Sequence, residues 1–162
     1  MNWQEICEDK NLQNLPFKIE LNKWGQIVMS PAKVIHSFYQ GKIQTLLESS
    51  LTTGIIMPEL AIETTDGVKV ADVVWVSDER ADIILDETAA SIAPEICVEV
   101  KSGSNTLTEM LEKKALYLEA GAEEVWICDK KGKLYFYNSQ GPTEHSVRSP
   151  DFPKQIKRKR RN

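Results

Sequence analysis

The stretch from Pro94 to Cys128 leaves this chain few ways to fold. Pro94 precedes Glu95-Ile96-Cys97-Val98-Glu99-Val100-Lys101, a β-branched run of strand length. Thr106 to Ala120 has the pattern of a helix closed by Gly121, and Val125 to Cys128 is a second apolar strand. Strand, helix and strand in that order place the two strands parallel in one sheet, joined by a right-handed crossover. Upstream, Asn2 to Glu8 reads as a short amphipathic helix, and Phe17 to Leu21 with Gln26 to Met29 as a hairpin across Asn22-Lys23-Trp24-Gly25. Ser30 is placed to cap a helix with Pro31 in its first turn. That helix runs to about Ser50 with Val34, Ile35, Phe38, Tyr39, Ile43, Leu46 and Leu47 in one apolar stripe. Ile55 to Glu63 and Lys69 to Val76 form a second hairpin, turned at Asp66-Gly67, and a polar, helix-prone stretch covers Ser77 to Ser91. Leu134 to Tyr137 adds a last strand. The expected fold is α/β: an αβββαβ core whose mixed central sheet is flanked by helices, with an N-terminal β-hairpin.

With 162 residues, the chain suits a single domain, expected over 1–150 and followed by a basic, disordered tail over 151–162. The tail distorts the charge balance. Six of the 20 basic residues are Lys154, Lys157, Arg158, Lys159, Arg160 and Arg161, which leaves 14 basic against 24 acidic residues, or −10, for the body. Such a body argues against a broad nucleic-acid-binding face, because Lys and Arg supply most non-specific phosphate affinity. A nucleic-acid role then needs a local patch, a metal or the tail. No run approaches the ~20 apolar residues of a membrane span, and Met1-Asn2-Trp3-Gln4-Glu5 lacks the start of a signal peptide, so a cytoplasmic protein with no membrane partner is expected. Cys7, Cys97 and Cys128 read as reduced thiols. Phosphate-loop, dinucleotide, zinc-helix and serine-elbow motifs are all missing, which speaks against a nucleotide cofactor and serine hydrolysis.

Alternation along the Glu95–Lys101 strand puts Glu95, Cys97, Glu99 and Lys101 on one face and Ile96, Val98 and Val100 on the other. A Glu and a Lys at the end of a buried strand need partners, since each is costly to desolvate. An ion pair is the plain explanation. Asp72, which interrupts the apolar run from Val68 to Val76 on the preceding strand, suggests a sharper one. Asp72, Glu99 and the Val100 carbonyl could offer a hard cation oxygens at the ~2.1 Å that Mg²⁺ requires. Lys101 would then assist an attacking water or neutralise a phosphate.

Asp72 followed by Pro94-Glu95-Ile96-Cys97-Val98-Glu99-Val100-Lys101-Ser102 resembles the Asp…Glu-x-Lys signature of the PD-(D/E)XK, or restriction-endonuclease-like, superfamily. Within it the chain is similar to the Uma-type restriction endonuclease family, long known only as a domain of unknown function. The likeness spans about residues 15 to 150, through Leu15-Pro16-Phe17, Met29-Ser30-Pro31, His36, Ala71-Asp72-Val73, Val98 to Ser102, Glu112 to Tyr117 and Ala120 to Ile127. It implies a Mg²⁺- or Mn²⁺-dependent DNA endonuclease in which Asp72 and Glu99 bind the metal and Lys101 is the catalytic lysine. Ala71 replaces the usual proline. Many relatives carry their lysine only on the following helix, at the place of Lys113, and this chain has both. Glu109 fits the helix carboxylate of relatives. Helical spacing sets Glu109, Lys113 and Tyr117 in one row beside a core stripe of Leu107, Leu111 and Leu118. Glu59 is a candidate auxiliary ligand and His36 a candidate at the helix start, though helix-start packing is its plainer role. A homodimer is expected, because two related sites cut a duplex most simply. The rival reading keeps the fold as a catalytically inactive binding or assembly module.

Overall fold

The computed structural model describes residues 1–103 and 105–158. Its strands are β1 (Phe17–Leu21), β2 (Ile27–Pro31), β3 (Ile55–Thr64), β4 (Gly67–Val76), β5 (Ile96–Val100), β6 (Glu124–Cys128), β7 (Leu134–Asn138) and β8 (Gly141–Thr143). The α-helices are α1 (Trp3–Glu8), α2 (Val34–Ser50), α3 (Asp78–Ile84) and α4 (Leu107–Glu119). All strands join one sheet in the order β2-β1-β4-β5-β6-β7-β8, with β3 also on β4. The expected parallel pair is β5 with β6, in register from Ile96↔Glu124 to Val100↔Cys128, and the other pairings are antiparallel.

The two faces of the sheet follow from alternation. On one, Tyr39, Ile43 and Leu47 of α2 cover Val73, Trp75, Val98 and Trp126. On the other, Tyr117 of α4 with Ala81 and Ile84 of α3 covers Val74, Val76, Cys97 and Val125. The fully buried residues of α4 are Met110 and Tyr117; of the expected leucines, Leu118 packs against the core half-buried and Leu107 is exposed. The helix has turned the lysine–tyrosine row inward.

Ser30 and Pro31 do not start α2. They close β2 opposite Lys18 and Phe17, and α2 begins after Lys33, which makes no side-chain cap. An outer strand tolerates Pro31 because its missing N–H is not needed there. The second hairpin turns as expected, with Gly67 at φ +78°. A Cβ at Gly67 would stand 2.2 Å from the Leu21 carbonyl oxygen, so glycine is needed both for the turn and for the approach of β1.

The expectation of disorder from residue 151 is corrected. Phe152 and Ile156 are buried in the α2 side of the core, with the Phe152 ring 4.6 Å from that of Trp126. The Leu134 N–H donates to the Lys154 carbonyl and the Ile156 N–H to the Gly132 carbonyl, both at 2.8 Å. Two apolar side chains, each worth about 1.5–3 kcal/mol when buried, outweigh the charge around them. The rest of that expectation, residues 159–162, lies outside the described residues.

A fork in the sheet positions the site. Strand β3 occupies one edge of β4 along its length. On the other edge β1 pairs only at Leu21↔Val68, and β5 only from Val73↔Val98 to Trp75↔Ile96. Between those pairings, residues 69–72 have no strand beside them on that edge, and carboxylates take over. Glu20 accepts the Val70 N–H at 2.7 Å, and Asp72 accepts the Val100 N–H at 2.7 Å. Each buried donor is satisfied by a side chain where a ladder carbonyl would otherwise serve.

Candidate active site

Asp72 and Glu99 sit on the rung just beyond the last paired one, Val73↔Val98, so antiparallel register sets them opposite each other on one face. The two carboxylates share one cationic partner. Lys18 Nζ stands 3.2 Å from Asp72 Oδ1 and 3.2 Å from Glu99 Oε2, so both carboxylates lie within hydrogen-bonding range of a single cationic point. Both are almost fully buried. They line a cleft of about 410 Å³ together with Lys18, His36, Glu59, Val100 and Lys113.

Helices on both faces hold these groups. From α2, His36 Nε2 faces Asp72 Oδ2 at 3.3 Å, and Gln40 donates to the Asp72 carbonyl at 3.0 Å. From α4, the Tyr117 hydroxyl donates to Glu99 Oε1 at 2.5 Å, while Lys113 Nζ lies 2.8 Å from Glu20 and 3.7 Å from Glu99. Three buried carboxylates, Glu20, Asp72 and Glu99, thus face two ammonium groups.

Environment separates the two central acids. Burial pushes Asp72 up, but Lys18, His36 and the Val100 N–H overcome it and hold its carboxyl well below the ordinary range. Glu99 goes the other way, raised by burial that Lys113 and Lys18 only partly offset, with the Asp72 charge adding to the rise. Burial would lower Lys18, yet Glu99, Asp72 and Glu20 together keep it charged well above its usual value. Tyr117 is raised by burial and by Glu99 and stays a proton donor.

The remaining sequence candidates divide. Glu59 lines the cleft from a left-handed backbone at φ +50°, exposed and unpaired between the Pro58↔Val73 and Leu60↔Ala71 rungs. Such a conformation costs a non-glycine residue about 1–3 kcal/mol. Val100 lines the cleft as well, and its N–H is committed to Asp72. Glu109 does not reach the cleft; its carboxylate accepts from Asn105 at 3.3 Å near the start of α4. Lys101 also lies elsewhere. Strand β5 ends at Val100, and Lys101 lines a neighbouring cleft with Lys33, Lys130, Lys131 and Arg158. The ammonium groups at the carboxylates are instead those of Lys18 and Lys113. Sequence reasoning missed Lys18 and Glu20, although two charges at alternate positions of a short apolar strand were the signal.

A metal can be weighed against this geometry. Among the described residues, no three His, Cys, Asp or Glu side chains are placed to hold an ion alone. Two hard carboxylates around one cationic point fit an ion such as Mg²⁺, which takes one or two carboxylates and keeps much of its water.

A buried acid pair with lysines stands at the fork of a mixed sheet flanked by helices, in a protein of the α/β class. The Uma2 family model, described as "Putative restriction endonuclease", matches residues 4–156, and the chain belongs to that family. Among solved structures, the chain is similar to the crystal structure of a "putative nuclease belonging to DUF820" from Anabaena variabilis. The two are 20% identical with a TM-score of 0.68, over 89% of this chain and 83% of that one. No curated protein matches. Family and fold together support a nuclease-like role. No helix of the described residues is long and apolar enough to cross a membrane.

Proposed function

We propose that the chain is a Mg²⁺- or Mn²⁺-dependent endonuclease that hydrolyses phosphodiester bonds in DNA. The observation that carries this reading is the placing of Asp72 and Glu99 at 3.2 Å from one cationic point inside an open cleft. Asp72 and Glu99 would hold the metal, with the Val100 carbonyl on the cleft wall as a further oxygen. When bound, such an ion supplies Lewis acidity to a phosphate oxygen and to water.

The chain's own groups do the rest. The Val100 N–H and His36 fix the Asp72 carboxylate, and Tyr117 fixes Glu99, so the acids need no reorganisation when a cation arrives. Glu20 anchors Lys113 beside Glu99, where its ammonium offsets charge on a phosphate under attack. Lys18 is the resident counter-ion of the acid pair, and it would be free to meet a phosphate if those acids held a divalent cation. The lysine role in this mechanism therefore falls to Lys113 and Lys18, with Lys101 outside the cleft.

Lys18 also supports the rival reading, a self-neutralised cluster in a module that cleaves nothing. The two part in one experiment. Supercoiled DNA is incubated with Mg²⁺ and wild type, Asp72→Asn or Glu99→Gln, while calorimetry follows Mg²⁺ binding. The endonuclease reading expects nicking by wild type and a loss of about a hundredfold or more in each variant, with ion binding weakened. Absence of both nicking and ion binding in the wild type supports the inactive module.

A further inference from the structure

The acidic cleft does not stand alone. A second cleft, of about 350 Å³, shares His36 and Ser102 with it as a common wall and is lined by Lys33, Lys101, Lys130, Lys131 and Arg158. A third, of about 420 Å³, shares Lys101, Lys130 and Lys131 with the second and is walled by Leu107, Tyr135 and Tyr137. The three adjoin in series through shared wall residues, acidic, then basic, then aromatic.

We infer that this path seats an unpaired nucleic-acid strand leaving the active site, its phosphates on the lysine cleft and its bases on the tyrosines. The inference rests on the endonuclease reading and names the strand state that the site takes. On a body with a charge of −10, cations have every opportunity to pair. Yet Lys33, Lys101, Lys130, Lys131 and Arg158 have no carboxylate of the described residues within 4.0 Å. Cations from four separate segments face one cleft with no carboxylate partner among the described residues, Arg158 Nε meeting the Tyr39 hydroxyl at 3.4 Å, and this arrangement suits an anion that is not protein. The wall shared with the acidic cleft adds a second observation. His36 Nδ1 is buried there with no hydrogen-bond partner among the described residues, a costly state for a polar atom unless a ligand or water meets it.

The third cleft argues for unpaired bases. Tyr135 and Tyr137 alternate on β7 and so project to the same side. Tyr135 is 39% exposed, and the Lys133 and Lys114 ammonium groups lie 5.1 and 4.8 Å from the Tyr135 and Tyr137 ring centroids. Bases within a duplex turn only their edges outward, whereas an open strand offers faces to stack on such rings. Asp129 on the rim is engaged by the backbone N–H groups of Lys131 and Lys133, both at 2.9 Å, which tempers its repulsion of a phosphate.

The test uses full-length protein with EDTA, so that nothing is cut, and a single-stranded oligonucleotide carrying 2-aminopurine, beside the same sequence as a duplex. Wild type is expected to quench the 2-aminopurine and to bind the single strand more tightly. Tyr135→Ala should abolish most of the quench and weaken single-strand binding about fivefold or more, and Tyr135→Trp should restore it. Lys130→Ala with Lys131→Ala should lower the salt slope of single-strand binding by about 1.4. Unchanged quench and slope in these variants, or equal affinity for duplex, would overturn the inference. Plasmid nicking by wild type is scored separately. Nicking without these losses leaves the endonuclease reading standing alone, and the losses without nicking leave the strand path standing alone.

Discussion

Replacing Lys18 by Met keeps most of the aliphatic stem and removes only the charge between Asp72 and Glu99. The Lys18 side chain is 14% exposed and the carboxylates it serves are 2% and 3% exposed, so water cannot replace what is lost. Removing one partner of a buried ionic cluster costs about 3–5 kcal/mol. For a chain of this length each kcal/mol moves the thermal midpoint by about 2–4 °C, so the metal-free variant should melt roughly 6–20 °C below wild type near neutral pH. Without Lys18 the folded-state pKa values of both acids rise. A folded-state value raised above the unfolded one penalises the fold increasingly as pH climbs, so the deficit should be largest at about pH 8 and shrink by about pH 4 as the acids protonate. Mg²⁺ should recover more stability in the variant than it adds to wild type, having no ammonium to displace. Differential scanning calorimetry at both pH values, with and without Mg²⁺, measures all of this. A deficit of the same size at both pH values would mean that Lys18 contributes packing alone, and would refute the electrostatic account.

Three other outcomes are expected. Lys113→Ala should reduce the plasmid nicking rate at saturating enzyme by about tenfold or more, and Lys101→Ala should reduce it far less, since of these two lysines Lys113 is the one beside Glu99; single-turnover nicking rates at saturation compare the two. Cutting the chain after Asp151 should lower the urea midpoint substantially, because it removes Phe152 and Ile156 from the core at about 2–5 kcal/mol each. Glu99 is held above its ordinary value, so its ionisation opposes folding once pH exceeds the unfolded-state pKa. Glu99→Gln should therefore gain stability on wild type as pH rises from about 4 to 8 in EDTA, measured by thermal melts.

Much of the fold was legible because its signals are local. The β5–α4–β6 order, the Asp66-Gly67 turn and most of the α2 stripe follow from local spacing, although Val34, expected in that stripe, is 88% exposed at the helix start. Asp72 and Glu99 stood out as charges inside apolar strands. Lys101 misled because alternation places it on Glu99's face only while the strand continues, and β5 stops at Val100. Glu20 and Lys18 were hidden for a different reason. Their alternate spacing marks one face of β1, but which acids that face meets depends on where β1 leaves β4, a register set by tertiary structure. Ile156 stands alone as an apolar residue between Lys154 and Arg158, and what buries it is formed by residues far away in sequence, Tyr39 and Gly132 among them.

The fork has a dynamic consequence. Main-chain pairing ties β1 to β4 at one rung, and beyond it the seam is held by side chains and a small apolar cluster around Leu21 and Val68. Segments with little backbone pairing open at a lower free energy than the global fold. The β1–β2 hairpin is thus expected to open before the β3–β4–β5 pairings, carrying Lys18 and Glu20 away from the acids as one unit. Exchange of the Val70 amide, closed by the Glu20 carboxylate instead of a carbonyl, reports each opening, and the amides of Val73 to Trp75, locked between β3 and β5, serve as its slow internal clock.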